Sequence, residues 1–586
     1  MSSPFQGPDH VIPELDDGAV QRLFDVADRA INDDRHGIER AVVEPAFDAM
    51  QNRVYVVLWQ DGRKLASWWA QGENLASTVY SATRKVVESR RPVSGHGLDV
   101  HLHILGPDQA WDAEAYRHGL HGVAMRGQRS VSYYPSWAIE TNVRPAKLLR
   151  KLQSRLERIE PGDATPVDAT PGVFFFESRH LARAYGGGDI TQYYKGSTPR
   201  FDSVMTPQRF ERLHAMALDW LSRALADSGE FRYLYYPSRD EFPPGKNNMI
   251  RQLMSSRGLA QLAHRDNDWL ALHRRNLRFV LTQWYREAGD EGYVWFRNKS
   301  KLGANAMLLR TLVHSPLFEQ YRAEARRLVN GILSLQQPDG RLQAWYRAPD
   351  YVYSEDRLMA FYSGEALLAL FEYVEATGDQ RVLAAAVRAQ EYYLERYVEQ
   401  IDQHYYPAYV PWHAQSLSAL FRLQGDVRYA DAVFVMTDRL LEIQQQSAGD
   451  RPEHLGRFYN PATPQYGSPH ASSDGVYTEG VAYAYELAVL RGDTERSARY
   501  RRALLLGLHN LDNLQYRGPR LYFVPRRAAA EGGFRIHSTD NKVRVDSVQH
   551  ALDAFDKVAS LLRSGLLSLD APAAPQPASA PGRGGR

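Results

Sequence analysis

The first third of the chain has the alternation of hydrophobic and polar positions that is typical of β-strands. Residues 98–105 carry large apolar side chains at every second position, the period of a strand with one buried face. An apolar run at 54–59 is followed by the turn pair Asp61-Gly62, which favours a strand and a tight turn. The other predicted elements are a strand pair at 122–125 and 130–134 and two helices at 75–90 and 145–159. This mixture indicates an α+β domain.

From about residue 205 to 565 the period changes to that of helices. Residues 367–374 place apolar side chains at i, i+3, i+4 and i+7, and Gly378 then ends the predicted helix. The same joint, a glycine followed by an aspartate, recurs at 425–426 and 492–493. These joints indicate a degenerate repeat of helical hairpins. With about twelve helices, the region predicts an all-α (α/α)6-type toroid; an open solenoid is the alternative, since ring closure has no local signature.

Composition divides the chain into four parts. Residues 1–160 form the predicted α+β domain, and residues 161–204, rich in proline and glycine, form a predicted linker. Residues 205–565 form the predicted toroid. Residues 566–586 are of low complexity, which predicts a disordered tail.

Charge and cysteine content exclude several classes of function. The chain has 71 Lys and Arg against 69 Asp and Glu, a net charge of +2 with both signs mixed along its length. Such a balance supplies no basic field for binding nucleic acid, so nucleic acid is not expected as a partner. The chain has no cysteine, which excludes disulfides, a thiolate nucleophile, and zinc or iron–sulfur sites with cysteine ligands.

Targeting signals and cofactor motifs are missing from the sequence. No uninterrupted run of about 18 apolar residues occurs, so no membrane span is expected. Residues 1–18 lack the features of a secretion signal, which favours a cytoplasmic protein; a periplasmic protein without its leader is the alternative. The phosphate-loop, dinucleotide-binding and zincin motifs are absent, and no spacing of His, Asp and Glu indicates a metal. We therefore expect no metal and no cofactor, and protein partners are left open.

Residues 45–160 resemble the AMMECR1 family. The resemblance is carried by Trp111, by the segments 116–122 and 133–137, and by the leucine pattern of 148–152. The family's RGCIG motif corresponds here to residues 62–67, which read Gly-Arg-Lys-Leu-Ala-Ser and contain no cysteine. Because of that departure, no function is carried over from the family to this domain.

The helical region resembles the six-hairpin toroids, which are the scaffold of many glycosidases, polysaccharide lyases, sugar epimerases and terpenoid cyclases. The segments that carry this resemblance are 247–252, 336–340, 362–370, 532–535 and 543–550. The lack of cysteine argues against the zinc-dependent toroid enzymes. The aspartate pairs at 16–17 and 33–34 lie outside the helical region, which argues against terpenoid cyclases. Among the enzymes built on this scaffold, those that act on carbohydrates remain after these exclusions.

Glycosidic cleavage needs two carboxyl groups, one protonated and one ionised. Asp474 and Glu479 stand five residues apart across a predicted helix start, so both could face one opening, and Glu365 lies near another helix start. The structural alternatives are a helix cap for Asp474 and a first-turn carboxylate for Glu365. Aromatic rings that bind sugar faces are expected at the hairpin ends. The candidates are Trp345, Tyr353, Tyr362, Trp412 and Tyr477.

An epimerase or lyase acting on a uronate would need a base and a cation beside the substrate's carboxylate. His413, His470 and His550 are the candidate bases, with His413 preferred, and the remaining candidate binding residues are Asn248, Arg251, Arg535 and Arg544. Asp546 stands four residues before His550, where an Asp–His hydrogen bond is expected. The sequence thus predicts an enzyme acting on an oligo- or polysaccharide, an anionic one by preference, with hydrolysis preferred over epimerisation or elimination. A non-catalytic scaffold is the alternative from another class.

Overall fold

The structure is a computed structural model. It describes residues 11–36, 47, 50–90, 92, 95–126, 130–159, 172–199, 205–351, 353–447 and 451–569. Most of the predicted disordered tail, from residue 570 onwards, lies outside the described residues.

The first domain contains two antiparallel sheets. Its strands are β1 (Val54–Gln60), β2 (Arg63–Ala70), β3 (Leu98–Leu105), β4 (Gln109–Ala110), β5 (Gly122–Arg126), β6 (Ser130–Tyr133), β7 (Gly172–Phe176), β8 (Ser178–Ala184), β9 (Thr191–Lys195) and β10 (Thr198–Pro199). Its helices are α1 (Asp17–His36), α2 (Leu75–Ser89), α3 (Trp137–Glu140) and α4 (Pro145–Ile159). The larger sheet has the order β10-β9-β8-β3-β1-β2, and the smaller has the order β4-β7-β5-β6.

The burial of strand β1 on both of its faces explains why residues 54–59 are all apolar. Val54, Val56 and Leu58 pack in one core beneath α1 and α2, whereas Tyr55 and Trp59 pack in a second core that extends into the helical domain. All seven residues of β1 are buried. A strand covered on both faces favours apolar residues at successive positions, as at 54–59.

The prediction of a linker over 161–204 is wrong for most of residues 172–199, because four strands form there. Residues 161–171 and 200–204 lie outside the described ranges, but β7, β8, β9 and β10 occupy most of 172–199 and belong to the two sheets of the first domain. Strand β8 pairs with β3 from Asp99↔Ala184 to Leu105↔Ser178. The partner strand lies far away in sequence, so local composition alone does not reveal the pairing. The sequence also does not predict α1.

The second domain is a closed ring of helices. The inner helices are α6 (Met249–Leu262), α8 (Leu302–Val313), α10 (Glu355–Thr377), α13 (Tyr409–Gln424), α15 (Ala471–Leu490) and α18 (Val545–Arg563). Each contacts the next in this order, and α18 contacts α6, which closes the ring. The outer helices are α5 (Pro207–Ala224), α7 (Asn267–Gln283), α9 (Arg322–Leu333), α11 (Gln380–Leu394), α14 (Val427–Leu440) and α16 (Thr494–Leu514). This is the predicted α/α toroid, and closure excludes the open solenoid.

Short elements connect the hairpins. They are the helices α12 (Ile401–His404) and α17 (Arg527–Ala530) and the strands β11 (Leu234–Tyr235), β12 (Tyr285–Ala288), β13 (Glu291–Val294), β14 (Ser300–Lys301), β15 (Trp345–Arg347), β16 (Arg535–His537) and β17 (Asp540–Arg544). Among the helices of the described ranges, none combines the length and the apolar content that crossing a bilayer requires.

The glycine–aspartate joints form as the sequence predicts. Gly378 and Gly425 cap α10 and α13 with φ of 73° and 74°, a conformation that costs glycine little. Asp379 and Asp426 then accept backbone N–H groups at the start of the next helix. Each pair therefore ends one helix and begins its hairpin partner.

The two domains share a buried interface. The Tyr522 hydroxyl of the toroid donates to Glu140 Oε1 of the first domain at 2.6 Å. Lys195 and Glu453 form an ion pair across the interface at 2.6 Å, with both side chains less than a tenth exposed. These contacts join the sheet of the first domain to one side of the ring.

Candidate active site

A cavity of about 400 Å³ lies at one mouth of the toroid. All six inner helices contribute to it, either from their N-terminal halves or, for α8, from the capping residue Lys301. The polar groups on its wall are Asn248, Arg251, Lys301, Tyr362, Glu365, Tyr406, Tyr466, Ser468, His470, Ser472, Ser473, Tyr477, Arg544, Asp546 and His550. A larger cavity of about 810 Å³ lies between the domains. The smaller cavity is the candidate active site because eight titratable groups with displaced pKa values line it, against two, Lys64 and Glu140, in the larger cavity.

Glu365 is a buried carboxyl group on the wall of this cavity. Its side chain is 2% exposed, and its Oε2 has no hydrogen-bond partner among the described residues. Burial raises the pKa of Glu365 to about 8, and Arg310 and Lys301 offset that effect only in part. Gly303 of α8 leaves the space for this carboxyl group, since a Cβ at that position would collide with Oε2. Glu365 is therefore protonated at neutral pH.

Asp546 is an ionised carboxyl group on the same wall. Arg544 contacts both of its oxygens, at 2.5 and 2.7 Å, and Arg251 Nε lies 3.0 Å from Oδ2. Burial by itself would raise the pKa of Asp546, but the two arginines hold it well below its usual range. The arginines also replace the expected hydrogen bond between Asp546 and His550.

Two neutral histidines complete the polar part of the site. The backbone N–H of Ser472 donates to His470 Nδ1 at 3.0 Å, so the ring proton of His470 lies on Nε2. Burial, together with the charge of Arg544, lowers the pKa of His470 to about 3. Burial likewise lowers the pKa of His550 to about 4, and its Nδ1 has no hydrogen-bond partner in the described part of the chain. His550 is thus an uncharged imidazole on the cavity wall.

Aromatic rings cover much of the remaining wall. They are Phe361, Tyr362, Tyr406, Trp412, Tyr466 and Tyr477. Rings of this kind pack on the apolar C–H faces of a pyranose, while polar groups at their rims bind hydroxyls. The combination is suited to a sugar.

Nine of the residues that the sequence predicts for the site are brought together in this cavity. They are Asn248, Arg251, Tyr362, Glu365, Trp412, His470, Tyr477, Arg544 and His550. The sequence does not point to Lys301, which stands just before α8 without a recognisable motif, or to Phe361. Lys301 has a pKa lowered by burial and by Lys299.

The described lining of the cavity does not include Asp474 or Glu479. Helix α15 begins at Ala471, so both residues lie within the helix, where five positions correspond to a rotation of about 140° between side chains. Asp474 accepts hydrogen bonds from Phe458 N and Asn510 Nδ2, both at 2.8 Å. Burial raises the pKa of Asp474 to about 6. The two carboxyl groups therefore do not face one opening.

His413 also lies away from the described cavity wall. Gln390 Nε2 donates to its Nδ1 at 3.3 Å, and its Nε2 lies 2.9 Å from Ser363 Oγ. Burial lowers the pKa of His413 to about 3. With both ring nitrogens bound inside the core, His413 is structural in this arrangement.

Three predicted binding residues are placed elsewhere. Trp345 packs against Tyr353, with ring centroids 5.1 Å apart, and neither is part of the described lining of the cavity. Arg535 is fully buried and donates to Thr198 Oγ1 of the first domain at 3.3 Å. Arg535 thus connects the domains and does not serve the cavity.

Comparison with known proteins finds no related sequence and finds distant structural similarities. No protein-family model matches the sequence, and neither does any curated protein. Among solved structures, a family 76 glycoside hydrolase α-mannanase from Bacteroides thetaiotaomicron is 10% identical, covering 61% of this chain and 97% of its own, with a TM-score of 0.45. A D-mannose isomerase is 10% identical, covering 61% of this chain and 98% of its own, with a TM-score of 0.46.

A third solved structure matches a shorter part of the chain. An uncharacterised protein from Pyrococcus horikoshii is 17% identical and covers 29% of this chain and 94% of its own, with a TM-score of 0.25. The architecture of an α/α toroid joined to an α+β domain is defined by the contacts within this chain itself.

Proposed function

We propose that the cavity binds a carbohydrate and that the protein is an enzyme that cleaves a glycosidic bond. The observation that carries this proposal is Glu365, a protonated carboxyl group with one unpartnered oxygen among the described residues, on a wall rich in aromatic rings. A protonated acid beside the scissile bond can protonate the departing oxygen. Burial maintains that protonation near neutral pH.

Asp546 provides the complementary charge state. Cleavage passes through a transition state with positive charge on the sugar ring, which an ionised carboxylate stabilises. Asp546 is ionised because Arg251 and Arg544 lower its pKa. The same arginines weaken it as a base, so its proposed role is electrostatic.

The charge of the cavity favours an anionic sugar. Arg251, Arg544 and Lys301 lie on the wall, whereas Asp546 is the ionised carboxylate of the described lining, and Glu365 is neutral. The cationic side chains exceed the ionised carboxylate in number. A substrate carboxylate, as in a uronate, would complement this excess.

A second candidate reaction is epimerisation or elimination at a carbon next to a carboxylate. The arginine contacts occupy both oxygens of Asp546, so no unengaged ionised carboxylate accompanies Glu365 in the described lining. His550 offers a neutral imidazole on the same wall. Proton abstraction by that imidazole would leave the glycosidic linkage intact or break it by elimination, and the products differ from those of hydrolysis.

The test is a panel of neutral and uronate-containing oligosaccharides incubated with the full chain. New reducing ends without a new carbon–carbon double bond would support hydrolysis. An unsaturated product, detected by its ultraviolet absorbance, would support elimination, and a changed sugar configuration by NMR would support epimerisation. Saturable binding without any product would support the non-catalytic alternative and overturn the enzyme proposal. Absence of both binding and turnover across the panel would overturn the carbohydrate assignment.

We predict that turnover falls at high pH. Glu365 acts as an acid only while protonated, and its raised pKa of about 8 keeps that form populated below this pH. We expect kcat to be level between about pH 6 and 7 and to fall about tenfold per unit well above pH 8. Steady-state kinetics across this range measures the profile, with circular dichroism at each pH as the control for folding. A level kcat up to pH 9.5 in folded protein would contradict the role of Glu365.

The AMMECR1-like assignment of the first domain and a cytoplasmic location stay predictions from the sequence. No activity is proposed for that domain.

A further inference from the structure

A group of three possible metal ligands lies between two inner helices. Glu479, His550 and Asp553 each offer one ligand atom, and these atoms all lie within 4.8 Å of one another. The residues are 3%, 7% and 7% exposed. Through His550 the group adjoins the cavity described above, while Glu479 and Asp553 are not part of the described cavity wall.

Helix geometry brings the three side chains together. His550 and Asp553 are three residues apart on α18, which places them on one face of that helix. Glu479 lies on α15, which packs along α18 as its neighbour in the inner ring. Helical proteins bind metals in their interior by a similar arrangement. In it, an imidazole and a carboxylate one turn apart on one helix face a carboxylate on the next helix.

Two atoms of these residues lack the partners that buried polar atoms normally have. Glu479 Oε2 and His550 Nδ1 make no hydrogen bond within the described ranges. A buried polar atom without a partner destabilises the folded protein, because it has lost its hydrogen bonds to water and gained none in return. The carboxylate of Asp553 is partly satisfied, since Arg257 Nη1 lies 3.0 Å from Oδ1 and Gln549 donates to Oδ2. Glu479 and His550 therefore each have an atom that can donate an electron pair to a bound cation.

The electrostatics of the group point in the same direction. The carboxyl groups of Glu479 and Asp553 lie together in one buried place, where Arg257 contacts Asp553. Two carboxylates in one buried place repel each other unless a proton or a cation lies between them. A divalent cation would allow both to ionise.

We propose that Glu479, His550 and Asp553 form a binding site for a divalent transition-metal ion of the Zn²⁺ or Mn²⁺ class. One imidazole nitrogen and two carboxylate oxygens are ligands that both ions accept, and three protein ligands are the number found in zinc sites that keep a position for water or substrate. This site goes beyond the proposed function, because sugar binding at Glu365 and the aromatic wall does not require it. If His550 is bound to an ion, however, epimerisation loses its candidate base.

The test is direct metal binding to the full chain. Protein stripped with a chelator is incubated with Zn²⁺, desalted and analysed for bound metal, and Mn²⁺ binding is followed separately by electron paramagnetic resonance. We expect one equivalent of tightly bound ion in the unsubstituted protein. Glu479→Gln and Asp553→Asn should each weaken binding by at least about tenfold. Glu365→Gln, which removes another buried carboxylate from outside the group, is the matched control and should retain the full equivalent.

The outcomes separate this proposal from the proposed function. No bound equivalent of either ion in the unsubstituted protein would overturn the site, as would equal binding by the control and both variants. Melting temperatures of the stripped variants show whether they fold, and the Mn²⁺ spectrum of the unsubstituted protein tests the site if they do not. Because these measurements contain no sugar, a protein that binds metal without processing sugar, or the reverse, is recognised as such.

Discussion

Replacing Glu365 by glutamine should lower kcat about 100- to 10,000-fold, the range that a positioned general acid contributes. Glutamine has nearly the same shape and fits beside Gly303, but its amide N–H is too weak an acid to protonate a departing oxygen. Because the carboxyl group is neutral when it binds substrate, KM should change little. Initial rates on the best substrate of the panel measure both constants.

The control for this substitution lies on the same helix. Asp356, in the first turn of α10, has a side chain 77% exposed and pairs with Arg396, away from the described cavity wall. Asp356→Asn should keep kcat within about twofold, since exposed ion pairs contribute little. A Glu365→Gln protein that turns over as fast as the unsubstituted chain would remove Glu365 from the mechanism.

Replacing Glu372 by alanine should lower the free energy of unfolding by about 3–5 kcal/mol. Glu372 joins α10 to α8 through Arg310, with Nε at 2.7 Å and Nη2 at 2.8 Å from its two oxygens. The Arg310 side chain is 3% exposed, so removing the carboxylate leaves a buried cation without its partner. Denaturant unfolding followed by circular dichroism measures the loss.

The effect should also depend on pH. Burial alone would raise the pKa of Glu372, but Arg310 and His314 hold it well below 4.5. A carboxylate with a lowered pKa stabilises the fold fully above its unfolded-state value. The contribution is therefore complete above about pH 4.5 and is lost as the pH falls through the lowered pKa of the folded protein.

The neighbouring ion pair provides the matched control. Glu375, on the same helix, pairs with Arg422 at 3.0 Å, with side chains 33% and 51% exposed. Glu375→Ala should cost about 0–1 kcal/mol. The double substitution Arg310→Met with Glu372→Leu should recover much of the loss, because apolar side chains of similar size need no partner. Equal losses for Glu372→Ala and Glu375→Ala would contradict the buried-pair account.

The sequence by itself determined the parts of the fold that local interactions control. Capping is one example: Gly378 takes a conformation that favours glycine, and Asp379 accepts the first free N–H groups of the next helix, so the joint is readable from two adjacent residues. The alternation at 98–105 likewise predicts the strand β3, but its expectation of one buried face is wrong, because His101 and His103 on the other face are also buried. Fold class follows from such local patterns.

Tertiary structure alone decided what depends on contacts between distant segments. Closure of the ring requires α18 to meet α6, and the pairing of β8 with β3 turns an apparent linker into part of a sheet. The site follows the same rule. Burial by the surrounding helices raises the pKa of Glu365, whereas the carboxyl group of Asp474 accepts hydrogen bonds from Phe458 and Asn510.

The ion pair between Asp546 and Arg251 joins α18 to α6, and Glu479 of α15 lies close to His550 and Asp553 of α18. No local pattern connects these helices. Burial and charge at a residue come from its neighbours in space, and a sequence records only its neighbours along the chain.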